Sequence, residues 1–227
     1  MIQSLFFDLD GTLTDPFEGI ANSIEHALRR MDKPLPERDL LRTFIGPPLI
    51  PSFRAYLGMT EEEAETALAY YREYFSVRGL FENTPYPGIA DMLGRLREAG
   101  YVLSVATSKP EPFAVRILEH FGLAAYFDEI GGASLDQSRV TKGDVIRALG
   151  GRLAAKRGVT PEEVFREAAM IGDRMHDAAG AAECGVPAYG VLWGYGSREE
   201  LERAGCRAVF GTPAELAAHF AAVQPQP

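Results

Sequence analysis

The sequence predicts an α/β fold in which a doubly wound parallel sheet carries an inserted, all-helical segment. Strand and helix signals alternate along most of the chain, which is the pattern of parallel sheets covered by helices. One stretch, residues 16–84, has helical periodicity and no convincing strand. A length of 227 residues suits a single core with a sizeable insertion. We therefore expect a core domain formed by residues 1–15 and 85–227, and a helical domain formed by residues 16–84.

The predicted strands are short apolar runs, most of them followed by a helical segment. The first, residues 4–8, ends in an acidic turn and is typical of a buried strand. In open sheets of this kind, ligand sites lie at the carboxyl ends of the strands. The remaining strand candidates are residues 102–106, 127–131, 168–171 and 188–192.

Several helix starts are marked by capping residues. Thr60 and Thr160 are each followed three residues later by a glutamate, and Ser197 by Glu200, which is the capping-box pattern. Within the insertion, apolar residues at intervals of four, four and three predict a buried stripe along the first helix: Ile20, Ile24, Leu28 and Met31.

The composition limits the class of protein and of partner. With 46% hydrophobic and 24% charged residues, the chain is too apolar for disorder and too evenly mixed for a fibre. A net charge of −9 argues against nucleic-acid and anionic-membrane partners. Two cysteines predict neither a disulfide framework nor a zinc site. The absence of a signal-like start and of any apolar run near roughly 18 residues predicts a cytoplasmic protein, and a monomer or homodimer would be ordinary.

Two acidic residues follow the first predicted strand. Asp8 and Asp10 precede Gly11, at the strand end where open sheets place their sites. A divalent cation such as Mg²⁺ would compensate these like charges, with the Asp8 carboxylate and the Asp10 backbone carbonyl as two oxygen ligands. The alternative is a strand-ending turn in which both aspartates cap backbone amides.

Further polar residues follow other predicted strands. Thr107, Ser108 and Lys109 could form an anion cradle before a helix, or Thr107 could simply be its N-cap. Lys142 begins a helix, where the dipole opposes a positive charge; a nearby phosphate would resolve this conflict, and solvent exposure is the alternative.

Asp173 and Asp177 follow the strand at residues 168–171. Their spacing of four places both carboxylates on one helix face, where they can point at one ion. One of them could instead cap the helix.

These residues resemble the motifs of the haloacid-dehalogenase-like hydrolase superfamily, in particular its phosphoglycolate-phosphatase-like group. The resemblance covers nearly the whole chain, and it rests on residues 8–13, Thr107, Lys142, and Gly172-Asp173 with Asp177. The insertion is similar to the family's helical cap, with residues 44–48 as its substrate-facing loop, and residues 190–197 resemble the loop after the last core strand. One departure is Gly143, where a proline is common.

The resemblance implies a Rossmann-like core and a Mg²⁺-dependent phosphatase. Asp8 would attack phosphorus to form an aspartyl-phosphate, while Asp10 would protonate the leaving alkoxide and then activate water. Thr107 and Lys142 would hold the phosphate oxygens. The implied metal ligands are Asp8, Asp10, Asp173 and Asp177, and the implied substrate-binding residues are Gly11, Thr12, Ser108, Lys109 and Gly46.

Particular residues distinguish a phosphatase, in part, from enzymes with other activities on the same fold. A second acid, Asp10, favours phosphoryl transfer over dehalogenation, and Lys33 in a loop is a poor Schiff-base candidate for phosphonate cleavage. A sugar-phosphate mutase and a phosphoryl-accepting regulatory module remain alternatives. The expected substrate is a small phosphorylated metabolite, phosphoglycolate-like or a nucleoside monophosphate. We expect Trp193 to be a packing residue.

Overall fold

The computed structural model describes residues 1–136 and 138–223. The chain consists of two compact units. The first comprises Met1–Leu13 and the described residues from Pro85 onwards, and the second is Thr14–Thr84. The second unit therefore begins two residues earlier than the predicted helical domain.

Strands and helices are numbered separately in chain order. The strands are β1 (Ser4–Phe7), β2 (Thr14–Asp15), β3 (Thr84–Pro85), β4 (Val102–Pro110), β5 (Glu129–Ala133), β6 (Ala168–Gly172), β7 (Ala188–Val191) and β8 (Val209–Phe210). The helices are α1 (Phe17–Arg30), α2 (Arg38–Leu41), α3 (Leu49–Leu57), α4 (Glu61–Tyr74), α5 (Ile89–Glu98), α6 (Glu111–His120), α7 (Lys142–Arg157), α8 (Pro161–Arg166), α9 (Met175–Glu183), α10 (Arg198–Arg203) and α11 (Pro213–Ala221). Among the described residues, no helix combines the length and apolar character needed to cross a membrane.

The first unit is built on a six-stranded parallel sheet with the order β5-β4-β1-β6-β7-β8. Strand β1 lies near the centre, because its residues pair with β4 on one side and with β6 on the other. Its apolar residues Leu5, Phe6 and Phe7 are completely buried, as a strand covered on both faces requires. Phe6 packs in a cluster with residues of α7 and α9. The predicted doubly wound α/β class is confirmed.

Two predicted strands differ from the structure by more than one residue at an end, and three two-residue strands, β2, β3 and β8, were not predicted. Strand β5, Glu129–Ala133, begins and ends two residues later than predicted, and a 3₁₀ turn, Ala124–Tyr126, precedes it. Strand β4 continues four residues beyond the predicted end, through an irregularity between Thr107 and Pro110. The two-residue strand β8 is too short to give a periodic signal.

The second unit is helical apart from short strand segments. Helix α1 packs against α4. Ile20, Ile24 and Leu28 form the buried stripe that their spacing predicts, whereas Met31 lies just beyond the helix and is partly exposed. Helix α4 continues into a π-helical turn, Phe75–Gly79. Strands β2 and β3, at the two ends of this segment, pair in a separate two-stranded sheet.

Capping boxes form at two of the three predicted positions. Thr60 accepts from the Glu63 amide at 3.2 Å, and the Glu63 carboxylate accepts from the Thr60 amide at 2.9 Å. Thr160 forms the equivalent pair at the start of α8. Ser197 accepts from the Glu200 amide at 3.1 Å, but the return bond is missing. The Glu200 carboxylate instead accepts from the backbone at the start of α9.

Candidate active site

Three aspartates come together at the carboxyl edge of the sheet. Asp8 follows β1, Asp173 follows β6, and Asp177 lies in the first turn of α9. One carboxylate oxygen from each lies within 4.8 Å of the others, and all three residues are buried. This arrangement follows from the strand order, since β1 and β6 are neighbours and end at the same edge.

The expectation that Asp173 and Asp177 share one helix face is wrong. Helix α9 begins at Met175, so Asp173 lies in the preceding turn. The two carboxylates meet because Asp177 folds back, where its Oδ2 accepts from the Arg174 amide at 3.1 Å. Asp177 therefore both caps the helix and faces the other carboxylates.

Lys142 pairs with two of the three aspartates of this cluster. It is the first residue of α7, and its side chain is 4% exposed. Its Nζ lies 2.9 Å from Asp8 Oδ1 and 2.8 Å from Asp177 Oδ1, and it donates to the Ala106 carbonyl at 2.9 Å. Two carboxylates therefore compensate the unfavourable helix dipole, where the sequence suggested a phosphate or solvent. Their charges raise the Lys142 pKa against the opposing effect of burial.

One oxygen of Asp8 is held by two contacts. Oδ1 accepts from the Leu9 amide at 2.7 Å and faces Lys142. The Asp8 amide in turn donates to the Ile171 carbonyl at 2.9 Å, which fixes the residue at the end of its strand.

The second acidic residue of the first loop has a different partner. Asp10 Oδ2 lies 2.7 Å from Lys109 Nζ, and both side chains are nearly buried. Asp10 Oδ1 is buried and has no hydrogen-bond partner among the described residues. Burial raises the pKa of Asp10, and the lysine only partly offsets this effect. The Asp10 carboxylate is outside the cluster of three, and the ligand role expected for its backbone carbonyl remains a prediction.

Asp173 is held by donors from two loops. Thr12 Oγ1 donates to Asp173 Oδ1 at 3.1 Å, and the Tyr195 amide donates to Oδ2 at 2.8 Å. Despite these bonds, burial and the neighbouring charges of Asp177 and Asp8 hold the pKa of Asp173 well above its usual value. Burial, together with the charge of Asp8, raises the pKa of Asp177 to about 6, and Lys142 opposes the increase.

The remaining predicted residues have varied positions. Thr107 is buried at the end of β4 and is not a helix cap, because α6 begins only at Glu111, with Pro110 before it. Its Oγ1 accepts from the Lys109 amide at 3.2 Å. Ser108 is half-buried beside them.

The two predicted glycines both have left-handed backbone. Gly11 has a φ of 84°, and a side chain there would overlap the Asp173 carboxylate, so the turn admits only glycine. Gly46, with a φ of 102°, belongs to the second unit.

Sequence reasoning missed the contacts made by the segment after β7. The Tyr195 amide and the Trp193 indole both reach the loops that carry the aspartates. The Glu200 carboxylate accepts from Arg174 Nε and from the Met175 amide, each at 2.9 Å. A backbone amide such as that of Tyr195 can belong to any residue type, so the sequence does not indicate its contact. Glu200 fits a capping box at Ser197, so the sequence did not indicate that its carboxylate binds Arg174 and Met175 instead.

Comparison with known proteins places this geometry in a family. The model of the haloacid dehalogenase-like hydrolase family matches residues 5–191. A 5'-nucleotidase from Pseudomonas aeruginosa is 44% identical over 198 residues, which cover 87% of this chain and 86% of the relative. The tyrosine-protein kinase PtkA of Mycobacterium tuberculosis is 45% identical over 201 residues, which cover 88% of this chain and 66% of PtkA.

A solved structure agrees with these sequence relationships. The crystal structure of a predicted phosphatase from Clostridium acetobutylicum has a TM-score of 0.87 and 43% identity, and the match covers 96% of this chain and 98% of that one. The family model spans all the acidic residues of the site and both buried lysines. The chain therefore belongs to the haloacid dehalogenase-like hydrolase family.

Proposed function

We propose that this protein is a Mg²⁺-dependent phosphatase that hydrolyses small phosphomonoesters through an aspartyl-phosphate on Asp8. The observation that carries the proposal is the convergence of Asp8, Asp173 and Asp177 on one point beside Lys142. Family membership supports the class of reaction.

The charge of the site fits a divalent cation. Four carboxylates, those of Asp8, Asp10, Asp173 and Asp177, face two ammonium groups, which leaves two negative charges if all six groups are ionised. Buried charges without compensation are costly, and the raised pKa of Asp173 shows this cost. Oxygen ligands of this kind suit Mg²⁺. When bound, the ion would neutralise phosphate oxygens and so favour attack by an anion.

Asp8 is the proposed nucleophile. Because Oδ1 is held by the Leu9 amide and Lys142, we assign the attack to Oδ2. The ion pair with Lys142 fixes the orientation of the Asp8 carboxylate. In the first step a bond forms from Asp8 to phosphorus while the bond from phosphorus to the ester oxygen breaks.

Asp10 is the proposed acid and base. Its Oδ2 is paired with Lys109, so Oδ1 is the oxygen that we assign to proton transfer. The raised pKa of Asp10 favours the protonated form that the leaving alkoxide requires. In the second step Asp10 takes the proton from a water molecule that attacks phosphorus, and Asp8 is released as a free carboxylate.

The remaining predicted residues receive supporting roles in this proposal. Thr107 and Ser108, at the end of β4, would donate to the phosphate oxygens. Gly11 and Thr12 would shape the loop that receives the phosphate, and the substrate-binding role expected of Gly46 stays a prediction.

We propose nucleoside 5'-monophosphates as the preferred substrates, with phosphoglycolate as the second candidate. The relative named as a 5'-nucleotidase supports the first class, since it matches 87% of this chain at 44% identity. The kinase-named relative is covered over only 66% of its length, which makes it a weaker guide to activity.

The test is phosphate release from a panel of esters with the purified chain. The panel contains nucleoside 5'-monophosphates, phosphoglycolate, hexose phosphates and a chromogenic phosphomonoester, each with Mg²⁺ and with EDTA. We expect turnover with Mg²⁺ only, and a loss of at least ~10³-fold in Asp8→Asn. Asp91→Asn, an exposed aspartate in the first turn of α5, is the matched control and should retain full activity.

Other outcomes would identify the alternatives. Label retained on Asp8 without phosphate release would indicate a regulatory module. Isomerisation of a hexose phosphate in the presence of a bisphosphate activator would indicate a mutase. Full activity of Asp8→Asn would contradict the proposed nucleophile.

A further inference from the structure

The segment after β7 contacts both loops that carry the acidic cluster. The Trp193 indole Nε1 donates to the backbone carbonyl of Thr12 at 2.9 Å. The Thr12 hydroxyl donates to Asp173 Oδ1, and the Tyr195 amide donates to Asp173 Oδ2. A chain of two hydrogen bonds therefore joins the indole to the buried carboxylate.

The close packing around Gly194 keeps the segment that carries Trp193 and Tyr195 against the acidic cluster. A Cβ at Gly194 would overlap both the Gly11 carbonyl and the Asp173 side chain. At Gly196, a Cβ would overlap the Asp173 carbonyl. Residues 193–196 thus lie directly against the first loop and against the turn after β6.

Asp173 has a particular need for such support. Its carboxylate is buried beside two others, so repulsion favours any movement that separates them. Two donors, the Thr12 hydroxyl and the Tyr195 amide, hold it in place. A ligand that is fixed before the metal arrives pays less ordering entropy on binding, and partners of ligands are known to affect metal affinity strongly.

We propose that Trp193 is a positioning residue for the metal site: its indole N–H holds Thr12 so that the Thr12 hydroxyl fixes Asp173 for Mg²⁺. This inference rests on the proposed magnesium site and extends it to a residue whose indole donates to a backbone carbonyl. If Trp193 only packs against its neighbours, as the sequence suggested, a variant that keeps an aromatic ring should bind Mg²⁺ as the wild type does.

The test measures Mg²⁺ affinity by calorimetry on metal-free protein. Trp193→Phe keeps an aromatic ring and removes the N–H donor, and we expect about tenfold weaker Mg²⁺ binding. Thr12→Val should weaken binding at least as much, whereas Thr12→Ser, which keeps the hydroxyl, should bind nearly as the wild type does. In the Thr12→Val background, adding Trp193→Phe should change affinity by less than about twofold, because the two residues act in series.

The matched control is Tyr101→Phe in the same unit. The Tyr101 hydroxyl donates to the Phe220 and Val223 carbonyls, each at 2.9 Å, so this variant also loses aromatic donation to backbone oxygens. We expect a lower melting temperature and unchanged Mg²⁺ affinity. Melting curves of all variants show whether each chain is folded.

The outcomes separate this inference from the proposed function. If wild type and Trp193→Phe bind Mg²⁺ equally, the positioning role is wrong and the phosphatase proposal stands. Additive losses in the double variant would also overturn it, because Trp193 would then act without Thr12. No Mg²⁺ binding by the wild-type chain would overturn the metal site and this inference together.

Discussion

Because of the acidic cluster, the free energy of unfolding of the metal-free chain should depend on pH. The pKa of Asp177 is raised from 3.8 to about 6 in the folded chain, mainly by burial. The folded state therefore holds this proton more tightly than the unfolded state does. Its stabilising contribution is complete below about pH 4 and is lost as the pH rises through about 6.

The magnitude follows from the size of this pKa difference. From 3.8 to about 6, at roughly 1.4 kcal/mol per pH unit, the free energy of unfolding falls by about 3 kcal/mol between about pH 4 and pH 7. Asp173 and Asp10, whose pKa values are also raised by burial, act in the same direction. His176 acts in the opposite direction, because burial lowers its pKa.

The assay is urea denaturation in EDTA at several pH values, with Asp177→Asn as the perturbation. The difference between wild type and variant isolates Asp177 from the other titrating groups. We expect wild type to lose about 3 kcal/mol relative to Asp177→Asn between pH 4 and pH 7, and Mg²⁺ to stabilise wild type more at pH 7.5 than at pH 5.

The control is Asp136→Asn. Hydrogen bonds from the Ser134 and Ser138 hydroxyls and the Ser138 amide lower the pKa of Asp136 to about 2, so its removal affects the pH dependence only below about pH 4. Parallel pH profiles of wild type and Asp177→Asn above pH 4 would refute the reasoning, as would metal-free stability that rises with Asp177 ionisation.

Two further substitutions test the packing of the site. Lys142→Met leaves two buried carboxylates without their cation, and we expect a loss of about 3–5 kcal/mol in urea denaturation, against at most about 1 kcal/mol for the exposed Lys156→Met; equal losses would contradict the burial argument. Gly11→Ala should lose turnover and destabilise the chain by more than Gly58→Ala, which shares the left-handed backbone but has open space at its Cβ. The difference between the two alanine variants measures the overlap with Asp173, and a difference near zero would show that the loop simply moves aside.

Local features of the fold were readable from the sequence because local chemistry determines them. The caps at Thr60 and Thr160 form as predicted, since each requires only a threonine just before a helix and a glutamate three residues later in its first turn. The buried stripe of α1 follows in the same way from its periodicity. The position of β5 was less predictable: the strand is Glu129–Ala133 rather than residues 127–131, and it follows a 3₁₀ turn, Ala124–Tyr126, that the sequence did not indicate.

The sequence predicted only those parts of the site that depend on where the strands end. Asp8 and Asp173 meet because their strands are neighbours. The pairing of Lys109 with Asp10 depends on side-chain directions across two loops, and no spacing in the sequence encodes it. The contact of Trp193 with Thr12 was missed for the same reason, since a backbone carbonyl has no residue identity to recognise.

The central position of β1 has a consequence for biosynthesis. Residues Ser4–Phe7 leave the ribosome before both of their strand partners, because the partners, near Val102 and Ala168, are translated much later. At about 5 to 20 residues per second the second partner arrives roughly 10 to 30 s afterwards. During that interval the Leu5–Phe7 run is unpaired and prone to association with other nascent chains. A product terminated before Ala168 would therefore aggregate, and slower growth at low temperature with abundant chaperones should raise the yield of the full chain.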